Sequence, residues 1–85
     1  MTRRKISILG ATGSVGTSTL DLIERHPDRF EVVSLTAAKN VGLLADAAIR
    51  TRARLAVIGD ETLLAELEQR LASSDCRAAT GQEAL

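Results

Sequence analysis

Eighty-five residues suffice for one small domain and are too few for the paired halves of a complete dinucleotide-binding fold. Eleven basic and eleven acidic side chains cancel, and Phe30 is the single aromatic, so there is no basic surface interleaved with aromatics and nucleic acid is not an expected partner. A lone cysteine, Cys76, excludes an internal disulfide and a metal site built of cysteines, and suits a reducing cytoplasm.

Arg3, Arg4 and Lys5 precede the apolar run Ile6 to Leu9, but Gly10 ends that run short of the roughly 7 to 15 residues a secretory signal needs, so neither an export signal nor a membrane segment is expected. Lys5 to Leu9 instead reads as a first strand buried on both faces. From about Ser14 to His26, Val15, Leu20 and Ile23, with the small Gly16 and Thr19, fall at helical spacing, and Pro27 favours an end just before it. Glu31 to Ala37 returns to strand composition. Asn40 then offers an N-cap for a helix with the stripe Val41, Leu44, Ala45, Ala48 and Ile49. Arg54 to Gly59 is a third apolar run, and Asp60 a second candidate N-cap, ahead of Leu63, Leu64, Leu67 and Leu71. Cys76 to Thr80 is a weak fourth strand, and Gln82 to Leu85 begins a further element.

This alternation predicts an α/β, Rossmann-like parallel sheet with flanking helices, in the order β-α-β-α-β-α plus the weak fourth strand. The usual arrangement sets the first strand between the second and the fourth. Residues 1–85 therefore read as a truncated sheet, the N-terminal part of a longer protein.

Gly10, Gly13 and Gly16 form the run G-A-T-G-S-V-G between the first strand and the first helix. In that context the first glycine permits a tight exit from the strand, the second lets backbone approach a pyrophosphate, and the third lets the helix lie close to the sheet. The free N–H groups and dipole of the helix start then face the phosphate, with the Thr12 and Ser14 hydroxyls beside it. A tight turn without a ligand is the other use such glycines have. The end of the second strand separates the two nicotinamide cofactors. NAD sites place a carboxylate there for the ribose 2′-hydroxyl, whereas a 2′-phosphate needs positive charge. Here the stretch is T-A-A-K-N, with Lys39 and no carboxylate between Val32 and Leu44, which favours NADP. Asn40 suits both a helix cap and a donor beside the ribose phosphate.

The run "ILGATGSVGTSTLDLIERHPDRFEVVSLTAAKNV" resembles the N-terminus of the 1-deoxy-D-xylulose 5-phosphate reductoisomerase family, with Ser18 to Asp21 after the glycine loop as its most specific part. A weaker likeness continues through "ARLAVIGDE". The resemblance implies an NADP-dependent oxidoreductase of non-mevalonate isoprenoid biosynthesis. Such an enzyme rearranges 1-deoxy-D-xylulose 5-phosphate and reduces the aldehyde with NADPH to 2-C-methyl-D-erythritol 4-phosphate, and is a homodimer at full length. It also implies Mg²⁺ or Mn²⁺, with the metal carboxylates and substrate-phosphate residues downstream of Leu85. Carried over residue by residue, the NADPH contacts fall on Thr12, Gly13, Ser14 and Val15 and on Ala38, Lys39 and Asn40. Ala38 departs from the family's usual glycine, which would strain a site needing positive φ.

No catalytic or metal residue is assigned within the chain. Asp21, Asp60 and Glu61 read as solvated or capping carboxylates, His26 as a helix-end residue, and Cys76 as a small apolar one. Two rivals share the glycine loop. Reductases of the semialdehyde dehydrogenase type need a catalytic cysteine later in the chain than Cys76, and a dinucleotide-sensing module would bind without transferring hydride. Taken alone, the 85 residues are expected to be catalytically inactive and marginally folded.

Overall fold

Strand and helix alternate as β1 (Arg4–Ile8), α1 (Ser14–Arg25), β2 (Phe30–Ala37), α2 (Val41–Thr51), β3 (Leu55–Ile58), a 3₁₀ turn (Glu61–Leu63) leading into α3 (Leu64–Arg70), and β4 (Arg77–Thr80). This computed structural model describes residues 4–10 and 13–80, so Thr12, Arg3 and the element read from Gln82 onward lie outside the described residues. The four strands make one parallel sheet in the order β1-β2-β3-β4. Crossovers that all step the same way across a sheet put their helices on one face. Accordingly α2 packs on both α1 and α3, and covers β2 and β3, while α3 covers β4.

The strand order corrects one expectation. Among the described residues β1 pairs only with β2, whereas the fourth strand joins the far side of β3, with Ala56 opposite Ala78 and Val57 opposite Ala79. The short α3, seven residues long, returns the chain to the nearest free strand edge, which is that of β3. In β1 only Ile8 is buried, Lys5 and Ser7 are exposed, and Leu9 falls outside the strand with 84% of its surface accessible.

Ile8, Val32, Leu35, Ala37, Ala56 and Ile58 from the sheet meet Leu20, Ile23, Leu44, Ala45, Ala48, Leu67 and Leu71 from the helices in one core. Val32 and Leu35 are an odd number of residues apart yet share this face, because the register slips by one residue between Ile6, opposite Val32, and Ser7, opposite Ser34. A bulge of this kind resets which side chains point inward. In α2 the buried stripe includes Ala47 and leaves Ile49 half in solvent, since this helix is flanked on both sides and small residues suit the close approach.

Candidate functional site

β1 ends at Ile8, and the chain turns through Leu9 and Gly10. Gly10 has φ +68°, a left-handed conformation that costs an L residue about 1–2 kcal/mol, so the exit from the strand demands glycine. Gly13 is different. Its N–H closes the turn on the Gly10 carbonyl at 3.0 Å, and its φ of −79° and ψ of 171° are ordinary extended values. A β-carbon there would meet only the Gly10 carbonyl oxygen, at 3.4 Å, an unstrained contact. Nothing among the described residues requires glycine at 13.

Gly13 caps α1 without a side chain, and the Thr17 N–H and Oγ1 both donate to its carbonyl, at 2.8 and 2.9 Å. Thr17 went unnoticed in the sequence because its role is a local backbone bond with no motif of its own. The backbone of Ser14 and Val15 forms the start of the helix, ahead of that first helical bond, where N–H donors lack intrahelical acceptors. No acidic residue occupies the first turn of α1, so its positive dipole end is left for an anion.

At the end of β2, Ala38, Lys39 and Asn40 are all exposed. The Asn40 side chain accepts the Leu43 N–H at 3.3 Å, so the expected cap is present, and its amide NH₂ remains a donor for a second partner. The strain foreseen at Ala38 is absent: among the described residues the sole non-glycine with positive φ is Arg52, at 56°, at the end of α2. Lys39 makes no ion pair among the described residues. Asp60 comes close enough to feel its charge. Bonds from the Thr62 hydroxyl and N–H hold the Asp60 carboxyl below its ordinary range, with a smaller contribution from the Lys39 ammonium and against slight desolvation. Asp60 therefore stays ionised to lower pH than a free aspartate, and its capping contribution is lost only as pH falls through that lowered value.

β1 and β2 are paired neighbours with Ile8 opposite Leu35, so the glycine turn and the Ala38–Asn40 segment leave the sheet at the same, carboxyl-terminal edge. This is where open α/β sheets bind their ligands. Of the seven residues expected to contact cofactor, Gly13, Ala38, Lys39 and Asn40 and the backbone of Ser14 and Val15 thus lie along one edge, and Thr12 is outside the described residues. A groove of about 880 Å³ lined by Glu24, Asp28, Arg50 and Arg52 lies at the opposite edge, beside the start of β2, and Arg50 there pairs with Glu24 at 3.5 Å.

Asp21 pairs with Arg25 at 3.2 Å on the exposed side of α1, and His26 follows as the helix C-cap. Among the described residues no three His, Cys, Asp or Glu side chains gather as metal ligands, and no helix is long and apolar enough to cross a membrane. Burial pushes the Cys76 thiol up to about 11. At pH 8 it is therefore protonated and a poor nucleophile. Iodoacetamide is expected to alkylate Cys76 at least about tenfold more slowly in the folded protein than in urea, and equal rates would show the site to be open.

Residues 6–85 match the model of the 1-deoxy-D-xylulose 5-phosphate reductoisomerase family. The chain is 56% identical over 82 residues to the 1-deoxy-D-xylulose 5-phosphate reductoisomerase of Zymomonas mobilis, covering 96% of this chain and 21% of that protein. It is 49% identical over 84 residues to that of Gluconobacter oxydans, covering 99% of this chain and 21% of the relative. The solved Zymomonas mobilis enzyme in complex with NADPH superimposes with a TM-score of 0.94 at 54% identity, over 98% of this chain and 22% of that one. A second reductoisomerase, solved with NADPH, fosmidomycin and magnesium, gives 0.85 at 32% identity over 95% of this chain and 20% of the other. The chain thus spans about a fifth of the length of the relatives it matches.

Proposed function

The chain belongs to the 1-deoxy-D-xylulose 5-phosphate reductoisomerase family, and on that footing we propose that it forms the NADPH-binding part of such an enzyme. The full-length protein converts 1-deoxy-D-xylulose 5-phosphate to 2-C-methyl-D-erythritol 4-phosphate in non-mevalonate isoprenoid biosynthesis. The observation that carries this reading is the shared sheet edge, where a bare Gly13 caps the helix that follows β1, and Lys39 follows the neighbouring strand β2.

The chain's own residues bind and orient. Backbone N–H groups at Gly13, Ser14 and Val15 would cradle the pyrophosphate, and Thr12 is the fourth contact that the family resemblance assigns there. Lys39 faces the 2′-phosphate, Asn40 donates its side-chain amide to the ribose phosphate, and Ala38 contributes backbone. The chemistry NADPH supplies when bound is a hydride for the aldehyde. Mg²⁺ or Mn²⁺ polarises the substrate carbonyl from carboxylates in the part of the family's length that this chain does not span. In the same reading the enzyme is cytoplasmic and homodimeric.

Turnover tests the proposal. The full-length protein carrying this segment, given 1-deoxy-D-xylulose 5-phosphate and Mg²⁺ or Mn²⁺, is expected to consume NADPH and to run far more slowly on NADH. No NADPH consumption with either metal would contradict it.

A further inference from the structure

No carboxylate lies between Val32 and Leu44 in the sequence, yet the sheet brings Asp60, at the end of the next strand, against the backbone of Ala38, the residue before Lys39. Where β3 ends, the Gly59 N–H donates to the Ala37 carbonyl at 2.8 Å and the Asp60 N–H to the Ala38 carbonyl at 3.0 Å. These are the two residues immediately before Lys39. From the other side, the Val41 N–H donates to the Lys39 carbonyl at 2.9 Å. The lysine's backbone is thus fixed on both flanks, and only its side chain is left to adjust.

The approach is close. A β-carbon on Gly59 would stand 3.2 Å from the Ala38 carbonyl oxygen and 3.3 Å from its Cα, tighter than side chains normally come to backbone. Gly59 has no unusual φ, so contact rather than conformation explains the glycine. Asp60 adds charge. Thr62 ties its carboxylate back through the hydroxyl at 2.6 Å and the N–H at 3.0 Å, which fixes a negative charge on the residue whose backbone bonds Ala38, next to Lys39.

We propose that the Gly59–Asp60 corner positions Lys39 and thereby sets how strongly the site prefers a dinucleotide bearing a 2′-phosphate, an inference that rests on the function proposed above. Gly59 lets the third strand clamp the Ala37 and Ala38 carbonyls, so that the lysine begins from a fixed point. The Asp60 carboxylate competes with the incoming phosphate for the same ammonium, which keeps the preference below what Lys39 alone would give.

The test is to titrate NADPH and NADH, by cofactor fluorescence at low salt, into the full-length protein and its Gly59→Ala and Asp60→Asn variants. Gly59→Ala pushes the Ala38 backbone away and is expected to weaken NADPH about tenfold, part of what one charge-assisted bond contributes, while NADH changes less than about twofold. Asp60→Asn keeps an oxygen for Thr62 but removes the charge. It is expected to tighten NADPH by about two- to fivefold, with NADH unmoved and the gain gone at ~1 M salt. Equal losses for both cofactors in Gly59→Ala, or an NADPH affinity indifferent to Asp60→Asn, would overturn the proposal. If Gly59→Ala does not fold, Asp60→Asn decides alone. An unmodified protein with no preference for NADPH would instead overturn the assignment of function, whatever the variants do.

Discussion

Gly13→Val in the full-length protein is expected to weaken NADPH binding more than about a hundredfold, some 2.7 kcal/mol, while the far-ultraviolet circular dichroism stays unchanged. The asymmetry follows from what surrounds the residue. Gly13 is exposed, its backbone is extended, and a β-carbon would touch only the Gly10 carbonyl oxygen at 3.4 Å. Valine therefore costs the fold little, at most the few tenths to 1 kcal/mol of a poorer helix cap. What it removes is the space above the N–H groups of α1, where the pyrophosphate would sit. Binding that survives the substitution would falsify the phosphate-cradle role of this loop. Gly10→Val is the useful contrast, because positive φ makes it a folding defect first.

Lys39→Glu should act at the other end of the cofactor. A charge-assisted bond to the 2′-phosphate contributes about 1.5 to 3 kcal/mol, so its loss is expected to weaken NADPH by about 10- to 150-fold while NADH changes by less than about threefold. The new carboxylate would stand beside Asp60, whose charge already reaches this position, so repulsion adds to the loss. The effect should shrink as salt rises, because Lys39 is exposed and its field is screened. Unchanged discrimination between the two cofactors would remove Lys39 from the site.

The local elements of this fold are legible in the sequence because each carries its own signal. Gly10 turns where the apolar run stops, Asn40 and Asp60 cap where the periodic stretches begin, and Pro27 follows the end of α1. The strand order is not legible in the same way. Whether a fourth strand returns beside the first or joins the third depends on where a crossover lands, and "CRAAT" has no residue that encodes the choice. The same holds for the left-handed Arg52, which ends α2 in a conformation usually reserved for glycine or asparagine.

In the candidate site, residues that belong to a motif are legible in the sequence, and neighbours brought in by topology are not. Gly13 and Lys39 announce themselves by spacing. Asp60 lies 21 positions beyond Lys39 and bonds the neighbouring Ala38 backbone because β2 and β3 pair in parallel with Ala37 opposite Ile58. The concern over Ala38 does not hold, since a family glycine suggests a positive φ that the described backbone does not adopt.

The most direct measurement is a crystal structure of the full-length protein carrying this segment, grown with NADPH. The expected density places the pyrophosphate within hydrogen-bond reach of the backbone N–H groups at Gly13 to Val15, and the 2′-phosphate against the Lys39 ammonium. A nucleotide seated at the opposite edge of the sheet, in the groove between Glu24 and Arg52, would contradict the assignment, as would a 2′-phosphate in solvent with Lys39 turned to Asp60.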